Sequence, residues 1–351
     1  MTYTRLTPKF RQEFFDLIRK SKNTLITAHY SPDDDAIGST LALKYAISHK
    51  FPKKKVTVAF TGRPITRYSV FTGFKDIKFK QDIADIVENY DSLIFLDGSQ
   101  FSRFTNKLEK IANSKALKIC IDHHASPTEK FDLHLQKPSA NSTSELIYDL
   151  FKSDIKLDKN YCELLLLGIL GDTGTFNFIK PGQYQLLSIV RKILEASHIE
   201  IQEFKSRYSL YSQRVFMIIQ EFMKNSEFHE VKNWPKFQTS YISRDFVAKH
   251  NLTDEDISEA NNIFISQYLR IIEDYPWGIS FKPYSDGRCS LSLRSLPNCV
   301  SVRCLVEGMG IGGGHDRASG ATIKHDGIPV SPEEALSEVM LWMSKNKPVI
   351  L

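Results

Sequence analysis

His29-Tyr30-Ser31-Pro32-Asp33-Asp34-Asp35-Ala36-Ile37-Gly38-Ser39 places one imidazole and three carboxylates on a short turn, and the flanks of that turn decide the fold. Before it, Thr24-Leu25-Ile26-Thr27-Ala28 has the unbroken apolar, β-branched character of a buried strand; after it, residues 40–47 carry the apolar face of a helix. The acidic turn therefore stands where the carboxyl end of a strand meets a helix N-terminus. Open α/β sheets bind their ligands there.

Working outward, a first helix is expected over residues 8–21, and strand-like runs recur at 24–29, 55–60, 92–97 and 117–122, with room between them for crossover helices. That alternation predicts an α/β fold, a doubly wound and mostly parallel sheet. Two helices follow near 142–151 and 159–170, with Ser142 and Glu145 spaced as a capping box. From 182 to about 230 the pattern is helical and charged, which fits helices closing one domain and bridging to another. Residues 1–190 are read as a catalytic, metal-binding domain, 191–230 as a helical linker, and 231–351 as a smaller α/β domain, with strands at 237–242, 277–283 and 289–293 and a helix after Thr253.

Composition narrows the class. The 351 residues exceed what one hydrophobic core usually serves. Lys and Arg number 46 against 41 Asp and Glu, a net charge of +5 that suits a few phosphates better than a long nucleic-acid track. The five cysteines are scattered, odd in number and never spaced C-x-x-C, so neither a zinc site nor a disulfide framework is indicated, and a reducing cytoplasm fits. No apolar run approaches a membrane span and the N-terminus has no signal core, so a soluble protein without membrane contact is expected.

The chemistry gathers at element ends. Asp97 closes Leu93-Ile94-Phe95-Leu96, Asp122-His123-His124 closes Leu117-Lys118-Ile119-Cys120-Ile121, and Asp172 follows another apolar segment in Gly171-Asp172-Thr173-Gly174. In a parallel sheet the carboxyl ends share one edge, so His29, Asp33, Asp35, Asp97, Asp122 and His123 can converge across some ninety positions. Burying so many carboxylates unpaired is prohibitive, and cations neutralise them economically. A His-plus-carboxylate set favours Mn²⁺, Fe²⁺ or Zn²⁺ over Mg²⁺ or Ca²⁺. Two ions bridged by Asp97, about 3.5–4 Å apart, would activate a shared hydroxide for phosphoryl displacement. Taken singly, each residue has a plainer role: Asp33 or Asp35 as a helix cap, Asp97 as a turn residue, His123-His124 as a surface pair. The recurrence at five element ends favours the metal.

His29…Asp33-x-Asp35, Asp97, Asp122-His123-His124 and Asp172 resemble the four motifs of the DHH phosphoesterase family, and Gly312-Gly313-Gly314-His315-Asp316-Arg317-Ala318-Ser319-Gly320 resembles the glycine-rich signature of its associated domain. The resemblance implies two Mn²⁺ per chain, one held by His29, Asp33 and Asp97, the other by Asp35, Asp97, His123 and Asp172. It implies catalytic roles for Asp97, for His124 as a donor to the scissile phosphate, and for Asp122 either behind it or as a ligand. Arg103, Arg294, Ser295, Gly313, Gly314 and His315 would hold substrate. Asp34 departs from the family pattern and reads as an outward-facing acid that favours the helix dipole.

The resemblance further implies a manganese-dependent phosphodiesterase or exonuclease of nanoRNase type. It would hydrolyse short oligonucleotides, nanoRNA and dinucleotides, and 3′-phosphoadenosine 5′-phosphate, by attack of a metal-bridging hydroxide. A cyclic di-AMP or linear pApA phosphodiesterase is the nearest alternative, and a compact RecJ-like exonuclease on single-stranded DNA the next; the partners would be short RNA or DNA or small nucleotides, and a second copy of the chain in a homodimer. RecJ-type enzymes carry a further oligonucleotide-binding domain, which neither the charge nor the length accommodates. Pyrophosphatases with the same first motifs would lack the 312–320 signature. A nucleotide sensor without catalysis would be missing a ligand, and none is missing here.

Overall fold

The computed structural model describes residues 2–125 and 129–351 and divides into two compact units, Met1–Leu210 and Tyr211–Leu351. In chain order the first unit contains β1 (Thr2–Tyr3), α1 (Pro8–Lys20), β2 (Asn23–Thr27), α2 (Asp34–Lys50), β3 (Lys55–Thr61), β4 (Lys78–Lys80), β5 (Ser92–Leu96), α3 (Leu108–Asn113), β6 (Leu117–Asp122), β7 (Leu133–Gln136), α4 (Thr143–Phe151), α5 (Lys159–Asp172), α6 (Gln185–Ser197) and α7 (Ile201–Ser206). Its seven strands run in the order β1-β7-β6-β5-β2-β3-β4, every neighbouring pair parallel.

Alternation along the central strands explains why both faces are covered. Ile26, Val58, Phe60, Ile94, Leu96, Ile119 and Ile121 point into a core shared with α1, α2, α4 and α5, while Leu25, Ala59, Leu93, Phe95 and Cys120 point into a second core with α3 and the short turns around Ile83 and Phe101. A strand apolar on both sides has no wet face, hence the unbroken runs in the sequence. Three strands escaped the sequence reading because β1, β4 and β7 have only two, three and four residues.

The second unit contains α8 (Gln213–Lys224), β8 (Glu227–His229), β9 (Phe237–Tyr241), α9 (Arg244–Lys249), α10 (Asp254–Gln267), β10 (Trp277–Pro283), β11 (Cys289–Ser295), α11 (Val302–Gly308), β12 (Gly312–His315), β13 (Ala318–Ile323) and α12 (Pro332–Lys345). Its sheet runs β12-β13-β11-β10-β9-β8, antiparallel except at β9–β10. Trp277, Ile279, Leu291 and Leu293 pack with α11 and α12 on one face. The other face is small and polar: Asn261 of α10 donates to Ser292 Oγ and accepts from the Ser280 hydroxyl. The glycine-rich run begins as a strand, β12, paired along its length with β13. No helix among the described residues is long and apolar enough to cross a membrane.

Candidate metal centre

At the end of β2 the chain leaves the sheet, Ser31 takes a left-handed conformation (φ 48°), and α2 begins. Asp33 caps that helix, its Oδ1 accepting the Ala36 N–H at 3.0 Å, while its other oxygen lies 3.6 Å from His29 Nε2. Capping thus occupies one oxygen of Asp33 and leaves the other facing His29. His29 Nδ1 donates to the Tyr30 carbonyl at 2.7 Å, which turns Nε2 toward Asp33 and Asp97.

Asp97 lies one residue beyond β5 and is nearly inaccessible, at 2 %. It adopts φ 57°, which Asp tolerates better than most residues, and its N–H donates to the Ile121 carbonyl at 3.2 Å. The sequence reading carried β5 through this residue; instead the strand ends at Leu96 and the left-handed step turns the carboxylate across the sheet edge. Its two oxygens part company. Oδ2 lies 3.2 Å from His29 Nε2, and Oδ1 lies 3.4 Å from His123 Nε2.

Asp35, completely buried on the first turn of α2, is held by the N-terminus of α4: Oδ2 accepts the Thr143 N–H at 2.6 Å and Oδ1 the Ser144 N–H at 2.9 Å. Thr143 also donates its hydroxyl to Asp97 Oδ1 at 3.2 Å. Ser142 caps α4 as its spacing indicated, accepting the Glu145 N–H, but the Glu145 carboxylate returns to Asn141 rather than to Ser142. Thr143 and Ser144 were missed as parts of the site. The only trace of them in the sequence is that they follow a helix cap.

Asp172 ends α5, with Oδ2 3.0 Å from His123 Nε2. Asp35 reaches the same place because α2 and α5 cross at glycine. A Cβ on Gly38 would stand 2.7 Å from the Leu164 carbonyl oxygen, and one on Gly168 would stand 2.1 Å from Ser144 Oγ and 2.2 Å from Asp35 Oδ1. No larger residue fits either position without moving a carboxylate or a helix.

Two donor sets correspond to the expected ligands, each with ligand atoms within 4.8 Å of one another: His29, Asp33 and Asp97, and Asp35, Asp97, His123 and Asp172; Asp97, His123 and His124 form a further group of the same kind. Electrostatics mark both as unfinished without a cation. Burial and the Asp97 charge push the Asp35 carboxyl up to about 6, and burial and Asp35 push Asp172 well above the usual carboxylate range. Burial would lower the His29 imidazole, but Asp33 and Asp97 lift it to about 10. Among the described residues the buried His123 Nε2 makes no hydrogen bond, though two carboxylates face it. Protons are poor substitutes here for divalent ions, and the donor set fits such ions.

Asp122 stands apart from both sets. Its Oδ1 accepts from His124 twice, from the backbone N–H at 3.0 Å and from Nδ1 at 2.8 Å, so the carboxylate fixes the ring. His124 Nδ1 also lies 3.5 Å from Asp97 Oδ1. Asp34 does not face outward as its position indicated: its Oδ1 accepts from Arg67 at 2.8 Å and from the Tyr68 hydroxyl at 2.6 Å.

Of the residues expected to hold substrate, Arg103 is in the first unit, where its carbonyl accepts the Tyr30 N–H at 2.8 Å and its side chain approaches Gly98, next to Asp97. The others are in the second unit. Arg294 and His315 pair with Ala318 from opposite sides of β13 and so share one sheet face at one level. Gly313 and Gly314 precede His315 on β12, and Gly314 has φ 142°, with Ser319 Cα only 2.9 Å from where its Cβ would be. Ser295 is buried on the opposite face from Arg294, paired with Trp277.

Comparison with known proteins agrees with the fold. Residues 23–169 match the DHH family, N-terminal domain. A probable bifunctional oligoribonuclease and PAP phosphatase, NrnA, from Streptococcus mutans is 27% identical over 305 residues, covering 87% of this chain and 90% of that protein. The crystal structure of an exopolyphosphatase-related protein from Bacteroides fragilis superposes with a TM-score of 0.79 at 22% identity, covering 98% of both chains. RecJ from Thermus thermophilus, solved with Mn²⁺, gives a TM-score of 0.53 at 12% identity, covering 99% of this chain and 57% of RecJ.

Proposed function

We propose that this chain, a phosphoesterase of the DHH family, hydrolyses the phosphodiester bonds of short oligonucleotides and the phosphate monoester of 3′-phosphoadenosine 5′-phosphate, with two manganese ions in its two donor sets. One observation carries the reading: the oxygens of a single buried carboxylate, Asp97, are divided between His29 and His123, so one residue joins both sets. Bound there, divalent ions supply the Lewis acidity and the acidified water that phosphoester hydrolysis needs.

The chain's own groups do the rest. Carbonyl contacts on Nδ1 of His29 and His123, the latter at 3.4 Å from Ala140, set both rings to present Nε2. The N–H groups of α4 hold Asp35 still. His124, oriented by Asp122 through Nδ1, would act on the scissile phosphate, where charge grows as the ester bond breaks. Arg294 and His315, which share one sheet face at one level, would with the backbone of Gly313 and Gly314 form the second unit's phosphate-binding set.

A manganese assay tests this. Labelled RNA and DNA from dinucleotides to long oligomers are compared by kcat/KM with 3′-phosphoadenosine 5′-phosphate and cyclic di-AMP. Highest kcat/KM on dinucleotides, with release of phosphate from the bisphosphate, is expected. A preference for cyclic di-AMP or for long single-stranded DNA would replace this reading with that of a cyclic-dinucleotide phosphodiesterase or a RecJ-like exonuclease.

A further inference from the structure

Just after Asp172, at the end of α5, the backbone takes three left-handed steps in succession: Gly174 and Thr175 at φ 54° and Phe176 at φ 72°. Glycine adopts that conformation freely, but a β-branched threonine and a phenylalanine do not, so the surroundings must impose it. They do so densely. The Thr173 hydroxyl accepts the Phe176 N–H at 3.1 Å, and the Thr173 carbonyl accepts the Phe178 N–H at 2.9 Å. Thr175 donates its N–H to the Leu170 carbonyl at 2.8 Å, and its hydroxyl accepts from Lys205 Nζ at 2.6 Å. The Asn177 side-chain amide returns to the Gly174 carbonyl at 2.8 Å.

This backbone sends two apolar side chains inward and one outward. Phe176 and Ile179 pack against the larger core of the first unit, whereas Phe178 between them is 57 % exposed. The Phe178 ring lies over Gly174, where a Cβ would stand 2.5–2.9 Å from three ring carbons, so only glycine lets it settle there. Both ends of the segment border the metal centre. It begins at Asp172, and Gln183 at its far end donates to the Ser139 carbonyl at 3.4 Å, next to Ala140, whose carbonyl meets His123 Nδ1. Single exposed apolar residues are ordinary. Here the ring is held out by a backbone conformation that costs free energy, and at the rim of a site built for phosphate.

We propose that Phe178 is a stacking platform for the nucleobase of the nucleotide whose phosphate lies at the donor sets. This rests on the proposed action on nucleotides and deepens it. Metal and phosphate attract each other whatever the ester carries, whereas an aromatic ring beside them adds affinity for any ester that bears a base. Every base has a π-face, so the platform selects for a base without selecting among bases.

The test uses the full chain loaded with manganese. Calorimetry compares AMP with ribose 5-phosphate in the wild type, Phe178→Ala and Phe178→Trp. Trp234, Trp277 and Trp342 all belong to the second unit, so Phe178→Trp gives the first unit a single indole whose fluorescence reports stacking. AMP should bind the wild type about tenfold or more tighter than ribose 5-phosphate, the scale of one stacked base. That preference should fall towards unity in Phe178→Ala with manganese affinity unchanged, and persist in Phe178→Trp, whose added emission AMP quenches and ribose 5-phosphate does not. A wild type indifferent to the base, a Phe178→Ala variant that keeps the preference, or a preference lost together with manganese binding would overturn the platform. Dinucleotide hydrolysis, measured on the same preparations, separates the two proposals. Base discrimination that depends on Phe178 in a protein that cleaves no dinucleotide leaves the platform standing and removes the hydrolytic reading; cleavage with discrimination indifferent to Phe178 does the reverse.

Discussion

Gly168→Ala adds one methyl group where the structure has no room for it. The new carbon would stand 2.2 Å from Asp35 Oδ1 and 2.1 Å from Ser144 Oγ, whereas ordinary contacts begin at 3.4 Å, so either Asp35 or the first turn of α4 must retreat by more than about 1 Å. Overpacking of this kind costs about 1–3 kcal/mol, and the better helix propensity of alanine returns about 1 kcal/mol. The net loss is about 0–2 kcal/mol, a fall in Tm of a few degrees for a unit of this size. Catalysis should suffer far more, because a displacement of about 1 Å in a reacting constellation can cost about a hundredfold in rate. Melting curves, calorimetric manganese titration and kcat on a dinucleotide measure the three effects on one preparation. The expected signature is a folded protein with weakened manganese binding and kcat down about a hundredfold. Turnover and manganese affinity equal to wild type would refute the claim that the α2–α5 crossing positions Asp35.

Asp97→Ala removes the one carboxylate common to both donor sets; manganese should raise the Tm of the wild type but not of the variant, and activity should vanish, whereas residual turnover in manganese would deny Asp97 its bridging position. Asp122→Asn takes the charged acceptor from His124 Nδ1 without touching either donor set. It should lower kcat by about ten- to a hundredfold with manganese affinity intact, and a loss of manganese binding instead would make Asp122 a ligand. Stability has an acid limit that can be located at Asp154, where burial would raise the carboxyl but Lys50 and Arg11 hold it below the usual value. A lowered folded-state pKa stabilises above the unfolded value and is lost as pH falls through the folded one, so Asp154→Asn should reduce Tm at neutral pH and lose its effect in strong acid. A Tm difference that does not change with pH would show that the ion pairs contribute nothing.

Much of the centre could be read from the chain because parallel strands bring their carboxyl ends to one edge. His29, Asp33, Asp97, His123 and Asp172 each stand at or just beyond the end of an apolar run, and that periodic arrangement survives in one dimension. What holds them in place does not. Thr143 and Ser144 act on Asp35 through backbone N–H groups 108 and 109 residues away, and a backbone donor has no residue type by which to recognise it. Asp34 was misread because its neighbours in space, Arg67 and Tyr68, come from a short turn after β3 that has no periodic pattern. In the second unit the 312–320 run was legible as a motif but not as a strand pair, since glycine has little strand propensity and β12 exists because β13 pairs with it.

The glycines inside α2 and α5 show where a stronger signal was present. A glycine within a helix costs roughly 1 kcal/mol relative to alanine, so Gly38, Gly168 and Gly171 need a reason to be there. The structure supplies it at the metal centre: each sits where a side chain would strike the opposing helix, Asp35 or Asp34. The same carboxylates that repel one another are therefore brought closer by residues that weaken the helices carrying them. Local propensity and carboxylate repulsion both run against this arrangement, and only a ligand of opposite charge makes the two costs worthwhile together. Conflict between levels of this kind is expected at functional sites, and here it coincides with the two donor sets that share Asp97.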